Sequence, residues 1–123
     1  MEICFMKIPI YYDGKLISMN RYRNAHWSIQ NKEKQALHGI IKDKIHSQKQ
    51  IGQFKTHYRL YTKTFGCDGS NIIAMIEKYY LDTINEANII KDDNLNNHIG
   101  SSREFAGIDS KDPRAEVDLI EVK

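Results

Sequence analysis

The sequence predicts an α/β fold, a mixed sheet of about four strands with two main helices. Residues 3–12, 54–65 and 115–122 are rich in Ile, Val, Phe and Tyr, and the second of these alternates strictly enough for a strand. Two other segments, near residues 31–47 and 70–87, repeat apolar residues at helical spacing. At 123 residues the chain is expected to be one domain, 1–123, with a modest core. A hydrophobic content of 41%, a charged content of 28% and only two prolines exclude a disordered chain. No apolar run approaches the roughly 20 residues of a membrane-spanning helix.

The elements follow in order. Ile3 to Tyr12 reads as a strand that meets the turn signal Asp13-Gly14 before Lys15 to Ser18, so a hairpin is expected. Ser18 to Trp27 is polar, basic and aromatic without a period and reads as a loop. Its Arg21, Tyr22, Arg23, His26 and Trp27 suit phosphate contact and base stacking, or equally a surface loop anchored to the core by its rings. Ser28 or Asn31 can cap a helix to about Ser47, with Ala36, Leu37, Ile40, Ile41 and Ile45 on its apolar side. In Phe54 to Phe65, His57, Arg59, Tyr61 and Lys63 share one face; Tyr58, Leu60, Thr62 and Thr64 share the core side.

Ser70 is the expected N-cap of the next helix, whose apolar positions are Ile72, Ile76, Tyr79, Tyr80, Ile84 and Ala87. Opposite them, Asn71, Lys78, Asp82 and Asn85 share a polar stripe. Ile89-Ile90 is a short buried segment, and Asp92-Asp93-Asn94 a turn. Residues 97–108 are Gly/Ser-rich with a weak strand near Arg103 to Ala106, and Ala115 to Val122 is the last strand.

Charge is unevenly distributed. Residues 1–66 hold 12 Lys and Arg against 4 Asp and Glu, a net +8; residues 67–123 hold 6 against 12, a net −6. Such a split suits a basic surface toward a polyanion, or two halves that pack against each other. Cys4 and Cys67 and the five histidines lie in no zinc-ligand spacing, and the N-terminal residues do not read as a secretion signal. A reducing, cytoplasmic setting is expected.

Asp68, Asp92 and Asp93 have the oxygen chemistry that Mg²⁺ takes, with Mn²⁺ as a second choice. If the strand before the helix and the segment after it lie side by side, these carboxylates are expected to meet at one end of the sheet. An ion there would activate a water against a phosphodiester, with Lys78 steadying the added charge. Arg21, Arg23, Trp27, Arg59 and Lys63 are the candidate DNA contacts.

Asp68-x-x-Asn71, Lys78-x-x-x-Asp82-x-Ile84 and Ile89-Ile90-x-Asp92-Asp93-Asn94 resemble the RusA family of crossover junction endodeoxyribonucleases, found in prophages and bacteria. Asn20-x-Tyr22, His26-Trp27-Ser28 and Pro113 to Val117 are similar to its flanking segments. The resemblance implies a homodimeric, metal-dependent resolvase of four-way (Holliday) junctions. It implies Asp68 and Asp93 as catalytic metal ligands, Asp92 as their neighbour, Lys78 as the catalytic lysine and Asp82 as the acid one turn beyond. The chain departs from the pattern where Ser70 replaces a second aspartate. The lysine also comes seven residues after Asn71 and not three, about 400° of rotation and roughly 6 Å of rise further along a helix. The alternatives are a junction-binding relative that does not cut, and a small protein-interaction module.

Overall fold

A computed structural model describes residues 3–45 and 49–122. The described residues form a mixed α/β fold with a four-stranded sheet and three helices. β1 (Ile3–Pro9) leads into a small hairpin, β2 (Tyr11–Tyr12) and β3 (Lys15–Leu16). Asp13 and Gly14 both have positive φ, 54° and 74°, the requirement of the tight turn that matches strand twist.

The segment expected to be a loop instead folds as α1 (Met19–Asn24), capped by the Ser18 hydroxyl, which accepts from the Arg21 amide at 3.2 Å. Six residues are too few to display a helical period, so only the cap marks it. α2 (Trp27–Asp43) begins just ahead of the expected caps. Its N-cap is His26, whose Nδ1 accepts from the Ser28 amide. The expected end near Ser47 lies outside the described residues.

β4 (Phe54–Thr62) is central, parallel to β5 (His98–Ile108) and antiparallel to β6 (Arg114–Glu121), which in turn pairs antiparallel with β1. The order is β1-β6-β4-β5. β5 is eleven residues long where a weak strand of about four was expected. It lies at the sheet edge with little of either side buried, so its sequence carries no alternation.

α3 (Gly69–Glu86) crosses from β4 to β5. Its N-cap is Asp68, two residues before the expected Ser70, and Ala87 is exposed beyond its end instead of buried.

Strand register explains why the helices sit on one face of the sheet. Ile8, Ala115 and Leu60 are cross-strand neighbours, as are Met6, Val117 and Tyr58, and all six are buried. Leu37 and Ile41 of α2, with Ile72, Met75, Ile76 and Tyr79 of α3, complete this core. Ile76 is fully buried, and truncation leaves a cavity that rigid strands cannot fill. Ile76→Ala is therefore expected to cost about 2–5 kcal/mol of unfolding free energy, measured by urea denaturation.

Candidate functional site

Asp68 ends the turn after β4 and caps α3. Its Oδ1 accepts from the Asn71 amide at 3.4 Å and its Oδ2 from Asn71 Nδ2 at 2.6 Å. Ser70 is therefore inside the first turn of the helix. Lys78 lies near the middle of α3, 3.7 Å from Asp82 one turn on, and both stand with Asn71 off the buried stripe. Past the helix, Ile51 and Ile90 form a parallel bridge, after which Asp92 closes a turn by accepting from the amide and side chain of Asn94. Asp93 is exposed.

These carboxylates do not meet within one chain. β4 and β5 are indeed neighbours, but they are parallel, so α3 must run back along them. Asp68 consequently stands at the C-terminal end of β4, and the Asp92-Asp93 turn leads into β5 at the opposite end. The Phe54 amide at the start of β4 donates to Asn97 O, and Gln53 donates to Asn96 O. Gly69 and Ser70, in contrast, line a cleft with Leu60, Thr62 and Phe105 from the strand ends. At 1.5 Å per residue the 18 residues of α3 separate the two sets by about 27 Å. Among the described residues no three His, Cys, Asp or Glu side chains converge as a metal site. Asp68 and the Asp92-Asp93 turn therefore do not share one ion within a single chain, and the expected meeting at one end of the sheet is corrected on this ground.

The candidate DNA contacts divide in two. Arg21 is occupied within the fold: its Nη2 pairs with the buried Glu33 and its Nε donates to Leu16 O at 3.0 Å. Arg59 is likewise held, by Glu116 at 3.2 Å and Asp118 at 2.5 Å, with its guanidinium 5.8 Å from the Phe5 ring centre. Lys63 is exposed but rests over the Tyr11 ring at 4.2 Å. Arg23 and Trp27 remain accessible, Trp27 with 71% of its surface exposed. The indole lies 5.5 Å from the His26 ring and borders a groove with Tyr22, Gln30, Asn31 and Lys34.

The open face of the sheet is not the basic surface the β4 pattern suggests. Across it, Lys7, Glu116, Arg59 and Glu104 succeed one another in register, with alternating sign. Arg114 pairs with Glu116 and Asp109, and Lys7 with Asp112. Lys7 and Arg59 of the basic half are thus paired with acids of the other half, where β1 and β4 meet β6 and the turn before it.

Residues that sequence reasoning passed over gather at the start of α3. Phe65, 83% exposed, lies 5.9 Å from the Phe105 ring beside the cleft of ≈ 270 Å³ that Cys67, Ser70 and Ile73 also line. Phe65 ends an alternating run, so its ring reads as one more strand residue; only its position after Thr64, beyond the last ladder pair, sets it apart. No family model matches the chain, and no curated protein matches it.

Two outcomes follow from the paired charges. Arg21→Ala leaves Glu33 buried without a counter-charge and is expected to destabilise by about 3–5 kcal/mol, whereas Arg21→Met with Glu33→Leu recovers most of the loss; chemical denaturation measures both. The hydrogen bonds from Arg59 hold the Asp118 carboxyl below its ordinary 3.8. A lowered folded-state pKa adds stability that is complete above the unfolded-state value and is lost as pH falls through the folded-state one. The stability difference between the native chain and Asp118→Asn is therefore expected to be flat above about pH 5 and to close below about pH 4, in urea melts across that range.

Proposed function

We propose that the chain is a RusA-like, Mg²⁺-dependent endonuclease that nicks four-way and other branched DNA junctions as a homodimer, drawing its carboxylates from two copies. Mn²⁺ is the alternative ion. The observation that carries this reading is the layout of α3: Asp68 and Asn71 at its start, Lys78 and Asp82 along an outward stripe, Asp92 and Asp93 just past its end. About 27 Å of helix divides the acidic sets in one chain. A two-fold axis that sets two such helices antiparallel brings the start of one beside the end of the other. Arg23, Trp27 and Lys34 add an accessible ring and cations of the kind that stack on bases and contact phosphates. The setting that goes with this reading is the cytoplasm of a bacterial host, with the chain encoded by a phage or prophage.

A second reading, junction binding without cleavage, is favoured by the state of the first acid. Both oxygens of Asp68 are engaged by Asn71, and Ser70 replaces the further aspartate the family carries.

Purified protein with Mg²⁺ is expected to nick a synthetic four-way junction near its crossover. Asp68→Asn, which keeps the helix cap, and Asp93→Asn should each abolish nicking and leave junction binding intact in a gel shift. Mixing the two variants should restore nicking in part, because one of the two shared sites in a mixed dimer retains both carboxylates. Binding without nicking under Mg²⁺ or Mn²⁺ selects the second reading. No binding at low salt overturns both and leaves a protein-interaction module.

A further inference from the structure

β5 closes the sheet on one side and, among the described residues, pairs only with β4, so that its outer edge has no strand partner there. It is eleven residues long and exposed along most of its length. Edge strands are usually shielded by charged side chains, lysine above all, by proline, by bulges or by shortness. β5 has neither lysine nor proline, its charges Arg103 and Glu104 are of opposite sign, and its two register irregularities fall near its ends, leaving Gly100 to Phe105 regular.

We propose that this edge pairs antiparallel with the same edge of a second copy, about a two-fold axis through Ser102. The inference rests on the homodimeric reading above, which it makes specific. In such a pair the residue on the axis faces its own copy. Arg103 or Glu104 on the axis sets like charges directly opposite each other, which is destabilising. Ser102 on the axis sets Arg103 opposite the partner's Ser101. Ser101 and Arg103 are on the helix side of the sheet, in register with the buried Thr56 and Tyr58. On that side the Ser101 hydroxyl donates to Glu77 Oε2 of α3 at 2.7 Å. Arg103, exposed and in no ion pair among the described residues, thereby reaches the partner's Glu77, and the contact occurs twice.

The same pairing answers the separation of the acidic residues. Asp68 stands at the C-terminal end of β5, beside the cleft that Phe105 lines, and Asp92 and Asp93 precede its N-terminal end. Antiparallel joining of the two β5 strands sets the C-terminal end of one against the N-terminal end of the other. Each end of the combined eight-stranded sheet then carries Asp68 of one copy and the Asp92-Asp93 turn of the other.

Sedimentation of the unliganded protein tests this without DNA. A species of twice 14.4 kDa is expected. Ser102→Cys should yield a disulfide-linked dimer on mild oxidation, since residues facing across the axis lie within cystine reach, while the native chain does not cross-link. Arg103→Glu should weaken the dimer by about tenfold or more, and Arg103→Glu with Glu77→Arg should restore it. A monomeric native chain, or a dimer that Ser102→Cys does not link and Arg103→Glu does not weaken, overturns the proposal. A dimer that fails these tests yet nicks junctions leaves the function standing with another interface. A dimer that passes them and binds no DNA keeps the interface and removes the function.

Discussion

Glu33 is the carboxylate on which the helical layer depends. It belongs to α2, is 1% exposed, and is met by the Arg21 guanidinium from α1 and the Tyr79 hydroxyl from α3, the latter at 3.0 Å. Arg21 also bonds back to Leu16 at the end of the β2-β3 hairpin. An ionised group so deep is tolerated only with a counter-charge and filled hydrogen bonds, and here each partner comes from a different element. α1, with six residues and none buried, has no stability of its own. Its place is fixed by Arg21, by the Tyr22 ring edge-on to Tyr79, and by Gln30 of α2 bonding to Tyr22 O. The groove beside Trp27 thus inherits its shape from a buried charge, although nothing in the groove is itself buried.

The fold was legible where the sequence constrains neighbours. The alternation of β4 assigned its two faces, and register then carried the same inside-outside pattern to β6 and β1. Asp13-Gly14 identified a turn because few residue pairs take two successive positive φ angles. β5 was illegible for the opposite reason, since an edge strand exposed on both sides imposes almost no pattern on its residues. Charge pairing is less legible, because the partner of a charge is not written beside it. Arg21 finds Glu33 twelve positions on, and Arg59 finds Glu116 and Asp118 more than fifty positions on. Both read as DNA contacts in the sequence because a cation next to aromatic residues looks the same whether or not it is already paired. Trp27 and Arg23 kept their accessibility, and so did the acidic turns at the two ends of α3.

The open face of the sheet mixes charges that the sequence keeps largely in separate halves. Opposite signs alternate across the strands, and Arg114 and Arg59 further lie over the rings of Tyr61 and Phe5. Such contacts orient the guanidinium groups as much as they neutralise them. Cations outside these pairs include Arg23 on α1, Lys32 and Lys42 on α2, Lys63 and Lys111 in the connections, and, on the strands, Lys55 and Arg103.

The length of α3 acts as a ruler. Its two ends present different acidic groups, and their spacing is quantised by the helix: four residues inserted between Asn71 and Lys78 lengthen it by about one turn while turning the outward stripe by only about 40°. Evolution of such a chain can therefore reset the distance between Asp68 and Asp92 in steps of a turn without redesigning the face between them, provided the strands beneath keep pace.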